Sequence, residues 1–181
     1  MKNKLALLLA FFLSLLSVPV FAEETPLVEA SKPKKLSGSQ LEHLSQNCGT
    51  IRQSLKLLQR SDSHARTYFG AIYETVSSKY LTPLNLRLVK NDISSVSLIN
   101  AQSSLAATRA NFSDDFIDYS KSLEELIAID CNLEPALFYE KLETTRQKRQ
   151  LVAEDMETLN IILTNSYKSV EKLKEGLKND Q

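Results

Sequence analysis

The sequence is poor both in residues that interrupt helices and in residues that build sheets. It holds four glycines, five prolines and no tryptophan. Pro19, Pro26 and Pro33 lie near its start, so only Pro83 and Pro135 fall beyond Gly38. Proline removes a backbone donor and clashes with the preceding turn, so its scarcity leaves long stretches free to coil without interruption. The apolar residues are mostly Leu, Ile, Val and Ala, which suit helix seams better than the faces of a β-sandwich. An all-α class follows.

Scarcity also bounds the chemistry. There are two histidines, and neither His43 nor His64 follows an acid by three positions, so the Glu-x-x-His pattern of di-iron bundles is missing. The two cysteines form no Cys-x-x-Cys, and no Gly-rich phosphate loop, Gly-x-Ser-x-Gly elbow or His-Glu-x-x-His occurs. The expectation is a chain with no catalytic residue, cofactor, metal or small-molecule substrate. Asp114, Asp115 and Asp118 share about one helical turn, where a solvated acidic face is a plainer reading than a cation site. Basic and acidic residues balance at 22 each, so nothing in the bulk charge attracts nucleic acid.

What is present begins with a leader. Lys2 and Lys4 precede an apolar stretch from Leu5 to Leu16, and Val20-Phe21-Ala22 places short side chains at the −3 and −1 positions of a cleavage site. Residues 1–22 therefore read as a signal peptide cleaved after Ala22, sending the mature chain to the periplasm, cell surface or medium. The alternative is an uncleaved leader acting as an anchor, though the apolar stretch, even extended past Leu16 to roughly 17 residues, is at the short limit for a span and then contains Pro19. Losing the two leader lysines leaves 20 basic against 22 acidic residues, a net charge of about −2. Residues 23–37, with two prolines and Lys32, Lys34 and Lys35, read as a flexible linker.

The folded part is expected over 38–181. Ser39-Gln40-Leu41-Glu42 matches a capping box and opens a first helix over about 39–81. Apolar residues then recur at steps of three and four: Leu41, Leu44, Cys48, Ile51, Leu55 and Leu58, a break at Asp62, then Ala65, Phe69, Ile72 and Val76. Pro83 predicts a kink or end, with a turn inside 82–95 near Asn91-Asp92. A second helix over about 95–130 carries Leu98, Leu105, Phe112, Phe116, Tyr119, Leu123 and Leu126 on one stripe, interrupted by Gln102 and Arg109. Asn132 as a cap and Pro135 in the first turn open a third, over about 134–178. Its stripe runs from Phe138 through Leu142, Val152, Met156, Leu159, Leu163, Val170 and Leu173 to Leu177, with Thr145, Arg149 and Ser166 as exceptions.

Short connections between long helices imply antiparallel neighbours, hence an elongated antiparallel three-helix coiled-coil-like bundle. The cysteines fit this plan. In an exported chain Cys48 and Cys131 should pair, so both must sit at one height in the hairpin, and their midpoint falls inside the turn expected at 82–95. Reflecting Asp62 across both turns brings it within a helical turn of Arg146 and Arg149. An Asp62–Arg149 pair is the expected register device, with both side chains reaching to water as the alternative.

The segment Tyr68-Phe69-Gly70 through Tyr80-Leu81-Thr82-Pro83-Leu84-Asn85-Leu86-Arg87-Leu88-Val89, with the two cysteines and the long last helix, resembles uncharacterised exported helical proteins of candidate-phyla-radiation bacteria. The resemblance covers most of the mature chain and implies an envelope or extracellular setting with no assigned activity. In length and leader the chain is also similar to periplasmic chaperones of the Skp type, but it lacks their strand-rich trimer core and basic charge. The functional expectation is a non-enzymatic spacer or protein-interaction module with a protein partner in the envelope or outside the cell. Self-association through the seam is open, and a holdase chaperone for exported chains is the alternative.

Overall fold

The computed structural model describes residues 36–179. The expected leader, and the expected linker up to residue 35, lie outside the described residues. Helix α1 spans Gly38–Gln46, α2 Cys48–Thr75, a π-helical segment Val76–Leu81, α3 Thr82–Lys90, α4 Val96–Ala128 and α5 Pro135–Asn179. No strand occurs among the described residues.

The cap of α1 lies two residues upstream of the expected one. Ser37, not Ser39, is the N-cap, with Gln40 returning to its backbone in a capping box. Both Ser37-x-x-Gln40 and Ser39-x-x-Glu42 fit the pattern. The upstream frame satisfies the Ser37 amide through the Gln40 side chain at 2.9 Å and still leaves the Ser39 hydroxyl 3.1 Å from that of Ser37. At Asn47 the chain bends without ending, since the Asn47 amide side chain donates to the His43 carbonyl at 2.8 Å and the next turn resumes at once.

The expected end at residue 81 is corrected: helical structure runs on to Lys90. Pro83 has no N–H for the carbonyl one turn back, and its ring would press on it. The chain widens into a π stretch just before the proline, and the Thr82 amide and hydroxyl both donate to the Ser77 carbonyl, the hydroxyl at 2.9 Å. Pro83 then occupies the first turn of α3, where a missing donor costs nothing. Leu84, Leu86 and Leu88, alternating in sequence, accordingly lie on a helix, with Leu88 buried and Leu86 exposed. The turn comes at Asn91-Asp92, where Asp92 adopts φ 55° and the Ile93 amide closes on the Leu88 carbonyl at 2.9 Å.

The second connection is also organised differently from the expectation that Asn132 caps the last helix. Asp130 does the work: its carboxylate accepts from the Asn132 amide at 2.9 Å and its carbonyl from the Glu134 amide at 2.8 Å, delivering the chain to Pro135. Helix α5 then runs 45 residues, about 67 Å.

Every member of the α4 stripe, from Leu98 to Leu126, is buried. On α5, Phe138, Val152 and Leu159 are buried and Leu142, Met156, Leu163, Val170 and Leu173 pack beside them, whereas Leu177 is exposed. Aromatic rings join α2 to α4 where Tyr73 lies edge-on to Phe112 at 6.2 Å, and within α4 Phe116 lies edge-on to Tyr119 at 5.9 Å. Cys48 and Cys131 form a buried disulfide with a Cα–Cα distance of 5.5 Å.

Polar contacts give the helix directions. Those joining α1 and α2 to α5, or to the turn leading into it, link Ser45 with Asn132, Asp62 with Arg149, and Tyr73 with Asn160, each pair 87 positions apart. A constant offset over about 40 Å means that these helices run the same way without slipping. Contacts to α4 run in the opposite sense, Asp62 meeting Tyr119 and Glu74 meeting Arg109. The α4–α5 contacts do likewise, with Glu125 on Lys141 and Asp118 near Lys148.

Candidate functional site

Three helices each send one polar side chain to a common point in the seam. Asp62 of α2 accepts from Arg149 of α5 through Nε at 2.8 Å and Nη2 at 3.2 Å, and from the Tyr119 hydroxyl of α4 at 2.7 Å. Burial by itself would raise the Asp62 carboxyl, but the Arg149 bonds and the Tyr119 hydroxyl together outweigh it and hold the group below its ordinary value. The Arg149 guanidinium is held up by the same bonds, and Tyr119 is pushed well above a free phenol by burial and by the Asp62 carboxylate. Arg146, which the height argument also reached, turns instead to Glu143 on its own helix. Beside the cluster the Arg66 guanidinium lies 5.1 Å from the centre of the Phe116 ring.

Its periodicity alone marks Tyr119 as a seam aromatic. The signal for its polar role is its height, since position 118 falls opposite Asp62, and a buried phenol needs an acceptor. Chemically the cluster is a clamp: both carboxylate oxygens are occupied by donors, and the fork geometry of arginine fixes distance and angle together.

The other polar interruptions of the seams find partners in the same way. Gln102 receives the Asn85 side-chain amide at 2.6 Å and donates to the Thr82 hydroxyl at 2.9 Å, tying the π segment and α3 to α4. Arg109 pairs with Glu74. Thr145 and Ser122 share a buried hydroxyl contact of 2.8 Å, and Ser166 donates to the Ile162 carbonyl at 2.7 Å. Asn85 Oδ1 is buried with no donor among the described residues, and Arg52 Nε and Asp155 Oδ2 are likewise buried without partners there.

An apolar groove of about 560 Å³ opens between the π segment with α3 on one wall and α5 on the other. Val76, Leu81 and Leu84 face Leu163 and Val170 across it, and Tyr80 and Tyr167, each 64% exposed, stand at its mouth. Lys79 and Arg87 flank the first wall. The groove exists because the wide turn forced by Pro83 keeps the chain helical past residue 81, and that continuation supplies one whole wall. No apolar periodicity distinguishes such a groove from a closed seam, so it was not legible in the sequence.

The acidic turn on α4 is divided. Asp118 is 3.8 Å from Lys148. Asp155 of α5 is raised above its ordinary value by burial and by the neighbouring Asp115 carboxyl, and one of its oxygens has no donor among the described residues. Among those residues no group of three or more His, Cys, Asp or Glu side chains could hold a metal ion. Nor is any of their helices long and apolar enough to cross a membrane. Comparison with known protein families, curated proteins and solved structures found no match.

Proposed function

We propose that this chain is an exported, non-enzymatic interaction module: an elongated antiparallel three-helix coiled-coil-like bundle, stapled by Cys48–Cys131, that presents a binding face in the cell envelope or outside the cell. The observation that carries this reading is the Tyr80/Tyr167 groove, an apolar surface opened to solvent while Asp62, Tyr119 and Arg149, and likewise Asn85, Gln102 and Thr82, engage one another in the seams. Aromatic side chains at the mouth of an apolar recess are the usual anchors of protein recognition. A buried disulfide supports an oxidising compartment, in line with the leader read from residues 1–22. The Asp62–Arg149–Tyr119 clamp takes the part of a register device, since it joins all three helices at one height. The likeness to exported helical proteins of candidate-phyla-radiation bacteria points the same way.

Cross-linking of intact native cells, followed by recovery without reductant and mass spectrometry, tests the proposal. A defined envelope or extracellular protein attached to a Glu23-initiated, disulfide-bridged chain is the expected result. A smear of unrelated exported clients, with suppression of client aggregation at stoichiometric ratios, would replace this reading by the holdase. A chain still carrying residues 1–22 would overturn the cleavage site.

A further inference from the structure

We infer that the groove between the π segment and α5 takes one α-helix of a partner protein, a helix with an apolar face bracketed by two acidic residues about two turns apart. The inference rests on the interaction-module reading and names the chemistry of its partner. The groove walls are two helices running in the same direction, as the constant 87-residue offset requires, so a further helix laid along them completes a bundle by ordinary side-chain interdigitation. Its floor offers the aliphatic side chains of Leu81, Leu84, Leu163 and Val170, and its mouth offers Tyr80 and Tyr167 as anchors, the Tyr167 hydroxyl donating to Glu171 on its own helix at 2.7 Å.

Charge selects among possible occupants. Lys79 and Arg87 are the charged residues lining this groove, both are basic, and neither forms an ion pair with another described residue. They lie along one wall about two helical turns apart, roughly 11 Å. A ligand with a single anionic head and an acyl tail would meet one of them. A helix with acids at i and i+7 and apolar residues at i+3 and i+4 meets both while its apolar face fills the recess.

The test uses the mature full chain, residues 23–181 with the disulfide formed, and a labelled alanine-based helical peptide of about 20 residues carrying Glu, Leu, Leu and Glu at those four positions. Fluorescence anisotropy should give saturable one-to-one binding that weakens with salt. A peptide with lysines in place of the glutamates should bind at least about ten-fold more weakly. The surface double variant Lys79→Glu/Arg87→Glu, confirmed folded by circular dichroism, should reverse that preference, and Tyr80→Ala with Tyr167→Ala should weaken both peptides. Equal binding of the two peptides, or binding of neither, overturns the inference. So does saturable binding of laurate with neither peptide bound, which makes the occupant an acyl chain, or a dimer dissolved by the double variant, which makes it a second copy of this chain. A cross-linked partner mapped to another face would remove this occupant and leave the interaction-module reading standing.

Discussion

Replacing Arg149 by lysine would keep the charge but lose the fork that reaches both oxygens of Asp62. Arg149→Lys should therefore be weaker than the wild type, and Arg149→Leu weaker still, by about 1–3 kcal/mol in urea denaturation, because Asp62 then loses a charge-assisted partner in a half-buried site. Asp62 also sets a pH dependence. Its folded value lies below the ordinary one, so the pair contributes fully above about pH 4 and is lost as the pH falls through the lower folded value. Asp62→Asn should flatten the acid limb of a stability profile, and an unchanged limb would assign that limb elsewhere. Asp155 has the opposite sign: burial and the Asp115 carboxyl raise it, so its ionised form is a cost at neutral pH that is relieved on acidification. Asp155→Asn should raise the neutral-pH melting temperature, the gain being about 0.2–1 kcal/mol on the scale of a surface charge pair.

Among the elements, the π segment is the one whose form depends on a single outside contact network. The Thr82 hydroxyl donates to the Ser77 carbonyl and accepts from Gln102, which in turn receives Asn85. Thr82→Val keeps the shape and removes the hydroxyl, so it should cost about 1–3 kcal/mol by leaving a Gln102 donor unsatisfied. Hydrogen exchange should show faster opening over 76–90, while amides of α5 near Phe138 stay protected. Legibility in the sequence divides along the same line. The α4 and α5 stripes were readable because Leu98 to Leu126 and Phe138 to Leu173 repeat with the period of a helix against a flat neighbour. The continuation past Leu81 was not, because a proline rule describes an isolated helix, whereas here the chain passes Pro83 through a π turn that Thr82 closes on Ser77 and that Gln102 of another helix braces. For the same reason the Asp62–Arg149 contact could be anticipated from heights, whereas Tyr119 as its third member required knowing which way a ring points.

For the molecule as a whole the disulfide closes a loop of 83 residues. Constraining that length in the unfolded chain contributes about 4–5 kcal/mol in the chain-entropy model. Cys48→Ser/Cys131→Ser should lower the urea midpoint by a corresponding amount with little change in helix content, since the seams between α4 and α5 are independent of the bridge. A full collapse of helicity in that variant would mean that the bridge, not the seams, holds the helices together.

The unvarying separation of 87 residues between partners on α2 and α5 has an evolutionary corollary. A single residue inserted between Ser45 and Tyr73 would leave the Ser45 end in step and throw the Tyr73 end out of step with α5, turning every later seam position by about 100°. A change of length that keeps every seam in register adds or removes matched blocks of about seven residues at one level in the first helical arm, in α4 and in α5 together. Relatives of different size that keep this register should therefore differ by three such blocks at once, with lone insertions concentrated in the turns.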